Sequence, residues 1–368
     1  MNKKVRHILG ISGGKDSTAL AIYLKSNYPQ LDIEYYFCDT GKELQDTYDL
    51  IKNLEVYLGN KITILKGVER SDKSPFDHFI EAYGNFLPSS NARWCTQKMK
   101  IEPFEKFVGD APTISYVGIR GDENREGYVS TKSNILSIFP FRKNIWSKDV
   151  ISKVFSKQNE EKIVEFYKNA TSERSKVDES LGILRKPLRI DFNLEKKINS
   201  LLVVDTKLFN KVVFQFLKQT DYPISYLNEF PLIDNNDVYK LDDVIKLLNN
   251  SGIGLPGYYK KLDFEVNGEM GKYNRSRSGC FFCFYQQKIE WVWLYENHRD
   301  LFEQAKKYEK EGYTWIQDES LEELSKPERL YRIKSDYLNK VNKQSSKKSN
   351  SLSEILDDNS DGCAICFT

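Results

Sequence analysis

No stretch of this chain is apolar for long enough to cross a bilayer, which takes about 20 consecutive apolar residues. The opening Met1-Asn2-Lys3-Lys4 runs straight into a strand pattern rather than into the apolar core of a secretory signal. No membrane association is expected, and the expected location is the cytoplasm. Strong charge of one sign is also missing, since 55 Lys and Arg face 53 Asp and Glu and leave a net charge of +2. Whole-molecule attraction to nucleic acid is thereby excluded, and any phosphate contact has to come from a local cluster. Six cysteines, unevenly placed in 368 residues, are too few for a disulfide scaffold. In a reducing compartment, clustered cysteines point to metal or redox chemistry instead. The three histidines, His7, His78 and His298, are not clustered, so they suggest neither a triad nor a zinc site and are read as structural. What the chain does have is length, enough to bury a large core in more than one compact unit.

The most informative stretch is Ile8 to Leu20. An apolar run enters it, a helix-spaced apolar run leaves it, and between them lies Ser12-Gly13-Gly14-Lys15-Asp16-Ser17. This reads as strand, phosphate loop and helix. Glycines let backbone N–H groups approach an anion closely, and the helix N-terminus adds unpaired donors and a positive dipole end. Lys15 contributes a mobile charge; Ser12, Ser17 and Thr18 contribute hydroxyls. The spacing is not that of the Walker A loop.

Further strands are expected at Leu31–Asp39, Ile62–Leu65 and Ile114–Ile119, with helices at Leu44–Leu58 and Pro75–Phe86 between them. Alternating strands and helices argue for an α/β fold with a doubly wound, mostly parallel sheet. Ligands in such sheets bind outside the carboxyl ends of strands, which brings Asp39, Gly118, Arg120 and Arg125 towards the loop. Four segments are expected: a nucleotide-binding core over 1–140, a mainly helical insertion over 141–227, a cysteine-bearing part over 228–333, and a flexible tail over 334–368. The third carries Cys280-Phe281-Phe282-Cys283 and an aromatic helix from there to Tyr308. A short helix over 319–333 follows, and disorder is expected from Lys340.

In order along the chain stand S-G-G-K-D-S, C-D-T-G, R-W-C-T…K-I-E-P, G-I-R-x-x-E-x-x-R and G-C-x-x-C. The set resembles the phosphoadenosine phosphosulfate (PAPS/APS) reductase family of the PP-loop ATP pyrophosphatase superfamily, over roughly residues 5–130 and 228–320. It is closer to the divergent branch of the DndC-type DNA phosphorothioation protein than to assimilatory reductases. The E-C-G-L-H tail of those reductases is absent, and Trp94-Cys95 stands where iron–sulfur APS reductases carry a Cys-Cys pair.

The resemblance implies an enzyme that binds ATP at Ser12, Gly13, Gly14, Lys15, Asp16 and Ser17, with Asp39, Gly118 and Arg120 as further binding residues. Lys15, Asp16, Cys95, Arg120 and Arg125 are its implied catalytic groups, the arginines acting on phosphate or sulfonucleotide oxygens. Asp16 and Asp39 suit Mg²⁺, which takes one or two carboxylates plus phosphate oxygens. The same resemblance implies a [4Fe–4S] cluster on Cys95, Cys280 and Cys283, with zinc or no metal as alternatives. Cys38 reads as a core residue or a fourth ligand, and Cys363 and Cys366 as a swinging redox pair or an inert terminus.

The expected reaction is adenylation of a substrate with pyrophosphate release, followed by sulfur incorporation of the nucleic-acid phosphorothioation type. Its partners would be DNA or RNA and a sulfur donor such as a cysteine desulfurase, in a homo-oligomer or a multi-protein complex. One alternative is a sulfonucleotide reductase that releases sulfite with thioredoxin. Another is a non-catalytic, nucleotide-sensing subunit of a defence-type complex.

Overall fold

The structure is a computed structural model and describes residues 4–125, 127, 130, 132–310, 312–317 and 319–347. Cys363, Cys366 and the end of the expected tail lie outside the described residues. The chain opens β1 (Arg6–Gly10), α1 (Lys15–Asn27), β2 (Ile33–Asp39), α2 (Gln45–Leu58) and β3 (Ile62–Lys66). Next come α3 (Pro75–Ala82), a single turn α4 (Trp94–Thr96) that widens into a π-helical turn at Gln97–Ile101, and α5 (Glu102–Val108). Strands β4 (Thr113–Tyr116) and β5 (Ile135–Ile138) complete a five-stranded sheet of order β3-β2-β1-β4-β5. Every pairing in it is parallel. The α/β class and parallel sheet agree with expectation; β5 adds a strand that the sequence reading lacked.

Period-two alternation assigns the two faces of the sheet. Leu9, Tyr35 and Phe37 enter the large core shared with α1 and α2. Ile8, Tyr36 and Cys38 point the other way, onto Phe104 and Val108 of α5. Chain order runs outward from β1 to β3 on one side and to β4 and β5 on the other. The switch point therefore lies between β1 and β4, where a crevice opens at the carboxyl ends.

Five helices follow: α6 (Lys148–Val154), α7 (Glu160–Asn169), α8 (Arg174–Leu184), α9 (Leu194–Val204) and α10 (Thr206–Leu217). Their buried side chains, among them Tyr167 and Phe209, share one continuous core with β1, β2 and α1. Helix α11 (Leu241–Asn250) packs on α1.

The C-terminal part has a second core. It contains the hairpin β6 (Leu262–Val266) and β7 (Glu269–Tyr273), then α12 (Lys288–Asn297), α13 (Arg299–Lys307), α14 (Leu321–Leu324) and α15 (Pro327–Lys347). The aromatic helix expected to run to Tyr308 is broken at His298, whose φ of −140° and ψ of 62° leave the helical region. The short final helix is two helices. The second runs to Lys347, with Ile333 and Leu338 buried against this core. No helix among the described residues is long and apolar enough to cross a membrane.

Candidate nucleotide and thiol site

The phosphate loop leaves β1 at the switch point. Gly13 turns at φ 73°, and a Cβ there would lie 2.3 Å from Thr47 Cγ2. The serines brace the loop from within: Ser12 N–H donates to Ser17 Oγ at 3.1 Å, and the two hydroxyls also lie 3.1 Å apart. Thr18 Oγ1 donates to Gly14 O at 2.8 Å. Helix α1 starts at Gly14 without a side-chain cap, so its first N–H groups form an anion site of the usual helix-terminus kind.

Asp16 is 2 % exposed and bonded at both oxygens, to Lys15 Nζ at 3.1 Å and to Arg120 Nη1 at 2.8 Å. Burial pushes its carboxyl up, and the two cations overcome this and hold it below the ordinary value. Arg120 is fully buried and also donates to Asp122 at 2.9 Å. In this arrangement its guanidinium clamps the start of α1 to the loop after β4. Gly118 serves close packing, since a Cβ there would lie 2.9 Å from the Asp16 backbone. Arg125 pairs with Glu123 at 2.9 Å. Asp39 stands at the end of β2, with Oδ1 accepting from Gly41 N–H at 2.8 Å and Tyr48 OH at 2.9 Å.

The turn after β2 holds the cysteine loop. Phe281 N–H donates to Lys42 O at 2.9 Å, and Glu43 forms an isolated antiparallel bridge with Cys280. Thr40 Oγ1 donates to Glu43 Oε1 at 2.7 Å and lies 3.2 Å from Cys280 Sγ. Burial is the main cause that raises both the Glu43 carboxyl and the Cys280 thiol above their ordinary values.

Cys95, Cys280 and Cys283 all line one partly enclosed cavity, together with Lys100, Arg277 and Ser278. Cys95 enters it just ahead of the π-helical turn, a deformation frequent at functional sites. Cys38 is not on that wall; its thiol donates to Lys100 O at 3.7 Å. Among the described residues no three His, Cys, Asp or Glu side chains gather closely enough to hold a single metal ion. Three thiols facing one cavity fit a sulfur-ligated cluster in donor type.

Sequence reasoning missed the residues that cover the loop from the C-terminal part. Tyr258 OH donates to Gly13 O at 2.7 Å. Tyr259 lies over Lys15, with Nζ 5.3 Å from its ring centre, and its hydroxyl sits against the Lys15 and Ser278 N–H groups. A Cβ on Gly14 would come within 2.7 Å of Ser278 Oγ. The available signals were the Gly252–Gly257 turn and the Arg-Ser-Arg-Ser run before Cys280, neither of which specifies a partner.

Residues 6–186 match the family model described as the phosphoadenosine phosphosulfate reductase domain, which supports that family for this region. Two uncharacterised proteins of Methanocaldococcus jannaschii are also similar. One is 32 % identical over 146 residues, covering 36 % of this chain and 28 % of the relative. The other is 28 % identical over 158 residues, covering 40 % and 36 %. The chain thus spans roughly a third of the length of these relatives. Among solved structures, phosphoadenylyl-sulfate (PAPS) reductase from Candida auris, in a phosphate complex, aligns at 20 % identity with a TM-score of 0.30. It covers 44 % of this chain and 72 % of that one.

Proposed function

We propose that the chain is a nucleotide-binding enzyme of the PAPS reductase kind that adenylates a substrate for sulfur incorporation. The observation that carries this reading is adjacency. The loop bearing Cys280 and Cys283 is bonded to the turn after β2, and Ser278 belongs both to the thiol-lined cavity and to the surroundings of Gly14.

In the reaction, a substrate oxygen bonds to the α-phosphorus of ATP. The bond from that phosphorus to the bridging oxygen breaks, and pyrophosphate leaves with its charge met by loop N–H groups and Lys15. A sulfur nucleophile at the hydrosulfide level then bonds to the activated centre, and AMP leaves with the original oxygen. Mg²⁺ would be held by Asp39 and phosphate oxygens. Cys95, Cys280 and Cys283 would hold the cluster, which supplies an iron site able to bind sulfur. By the family resemblance the substrate is a nucleic-acid phosphodiester; the sulfur comes from a desulfurase-type persulfide donor, and a dithiol reductant of the thioredoxin kind cleaves the persulfide to hydrosulfide and is itself oxidised to a disulfide. Arg120 acts here by positioning Asp16 and Lys15.

The test uses anaerobically purified full-length protein with labelled ATP, alongside iron and acid-labile sulfide per chain for wild type and Cys280→Ala. AMP with pyrophosphate, and a visible absorbance lost in the variant, are expected. ADP with phosphate overturns the adenylation step. The family match favours a second reading, sulfonucleotide reduction, whose signature is sulfite release from PAPS in the presence of thioredoxin.

A further inference from the structure

The segment from Arg275 to Gln286 carries a concentration of buried hydrogen-bonding atoms that have no partner among the described residues. They are Arg275 Nε and Nη1, Arg277 Nη1, Ser278 Oγ and Gln286 Nε2. Buried polar groups are nearly always satisfied, so an exception calls for a cause such as an absent ion. Every one of these five atoms can donate, and the arginine and amide nitrogens cannot accept. Of these atoms, Arg277 Nη1 and Ser278 Oγ belong to residues that line the thiol cavity, where a cation would be repelled and an oxyanion can accept from both.

The set is built rather than incidental. Arg275 is 1 % exposed and is held through Nη2 alone, at 3.0 Å from both Cys280 O and Gln286 Oε1. Ser278 is 5 % exposed. The nearby carboxylate of Glu290 already accepts from Ser276 N–H at 2.7 Å and Ser276 Oγ at 2.8 Å. Arg277 and Ser278 stand on the wall of the thiol-lined cavity, and Ser278 also overhangs Gly14.

We infer that Arg277 and Ser278, backed by the buried charge of Arg275, form a second anion subsite that faces the phosphate loop across the mouth of the cysteine cavity. It takes a tetrahedral oxyanion, a phosphate or sulfate group. This rests on the reading of the loop as a nucleotide site and adds the element that meets the nucleotide or acceptor from the C-terminal part.

The test is calorimetric titration of the full-length protein with inorganic pyrophosphate and, separately, with inorganic sulfate. Wild type is compared with Ser278→Ala, Arg277→Gln and Lys15→Ala, and thermal unfolding is followed for each. A hydrogen bond to a charged group sets the expected loss at about tenfold or more in affinity for Ser278→Ala and for Arg277→Gln, with unfolding unchanged. Loss confined to pyrophosphate assigns the subsite to nucleotide phosphates, and loss confined to sulfate assigns it to a sulfonate-bearing group. Unchanged affinity for both anions in both variants, with binding lost in Lys15→Ala, overturns the subsite and leaves the loop reading standing. A wild type that binds neither anion overturns both. Tenfold losses in a protein that forms no AMP uphold the subsite and refute the adenylation reaction alone.

Discussion

Replacing Arg120 with leucine tests the central electrostatic claim about the loop. Arg120 is fully buried and bonded to Asp16, itself 2 % exposed, at 2.8 Å. Removing one member of a buried pair typically costs about 3–5 kcal/mol, because the other charge is left uncompensated. Asp16 keeps Lys15 at 3.1 Å, so the lower end, about 3 kcal/mol, is expected. Asp122 also loses its arginine, but it is more exposed and adds little.

The assay is equilibrium urea unfolding of wild type, Arg120→Leu, Asp16→Asn and the double variant. Since both changes remove the same contact, the double variant should be more stable than the sum of the singles by roughly 1–3 kcal/mol. The pH dependence has a definite sign. The Asp16 carboxyl is depressed in the folded protein, so its contribution is full above the unfolded value of about 3.9 and is lost as pH falls below it. Without Arg120 one of the two cations that oppose burial is lost and the carboxyl rises from its wild-type position, so acid unfolding should begin at a higher pH in Arg120→Leu. A cost below about 1 kcal/mol, or strict additivity in the cycle, would refute this account of a clamp.

Three further outcomes can be checked. Gly13→Ala places a side chain at φ 73° and a Cβ 2.3 Å from Thr47 Cγ2; a destabilisation of about 1–3 kcal/mol in urea unfolding is expected, together with loss of pyrophosphate binding, and a variant as stable as wild type contradicts the loop geometry. Burial pushes the Cys38 thiol up to about 12, so at pH 8 native protein should leave Cys38 unalkylated by iodoacetamide while urea-unfolded protein is labelled there. Glu319 is held down to about 2, first by Arg329 and then by Lys288. Its contribution is complete above the unfolded value of about 4.3 and lost as pH falls towards 2. Hydrogen exchange should therefore show the start of α15 loosening across that window, and at a higher pH in Arg329→Ala.

The parts legible in the sequence are those with local causes. The strand, glycine turn and helix from Arg6 to Asn27 carry their own periodicity and punctuation, and the cysteine segments declare themselves by spacing. Strand β5 escaped because four buried residues give no period to read. The hairpin β6–β7 left a signal that went unused: Asn267-Gly268, at φ 55° and 73°, joins two alternating runs. Helix α15 is anchored by Ile333 and Leu338, apolar positions set in a Lys-rich stretch that composition alone reads as solvated. The closure of Tyr258 onto Gly13 spans 245 residues, and no local pattern encodes a contact of that separation.

The sheet and the C-terminal part divide the chemistry between them. At the switch point between β1 and β4 the sheet offers backbone donors and a clamped lysine, but its one cysteine there, Cys38, is turned onto α5. Two of the cavity's thiols therefore have to be brought in by the loop at Cys280 and Cys283, while Cys95 comes from the segment that buries Trp94 in the second core. What brings them in is the turn after β2. Its Lys42 carbonyl, Thr40 hydroxyl and Glu43 backbone all bond to the cysteine loop. The same turn presents Asp39 at the ligand edge of the sheet, so the nucleotide side and the thiol side share one rigid support. Arg277 and Ser278 stand beside both, on the wall of the thiol cavity and, through Ser278, over Gly14 of the loop.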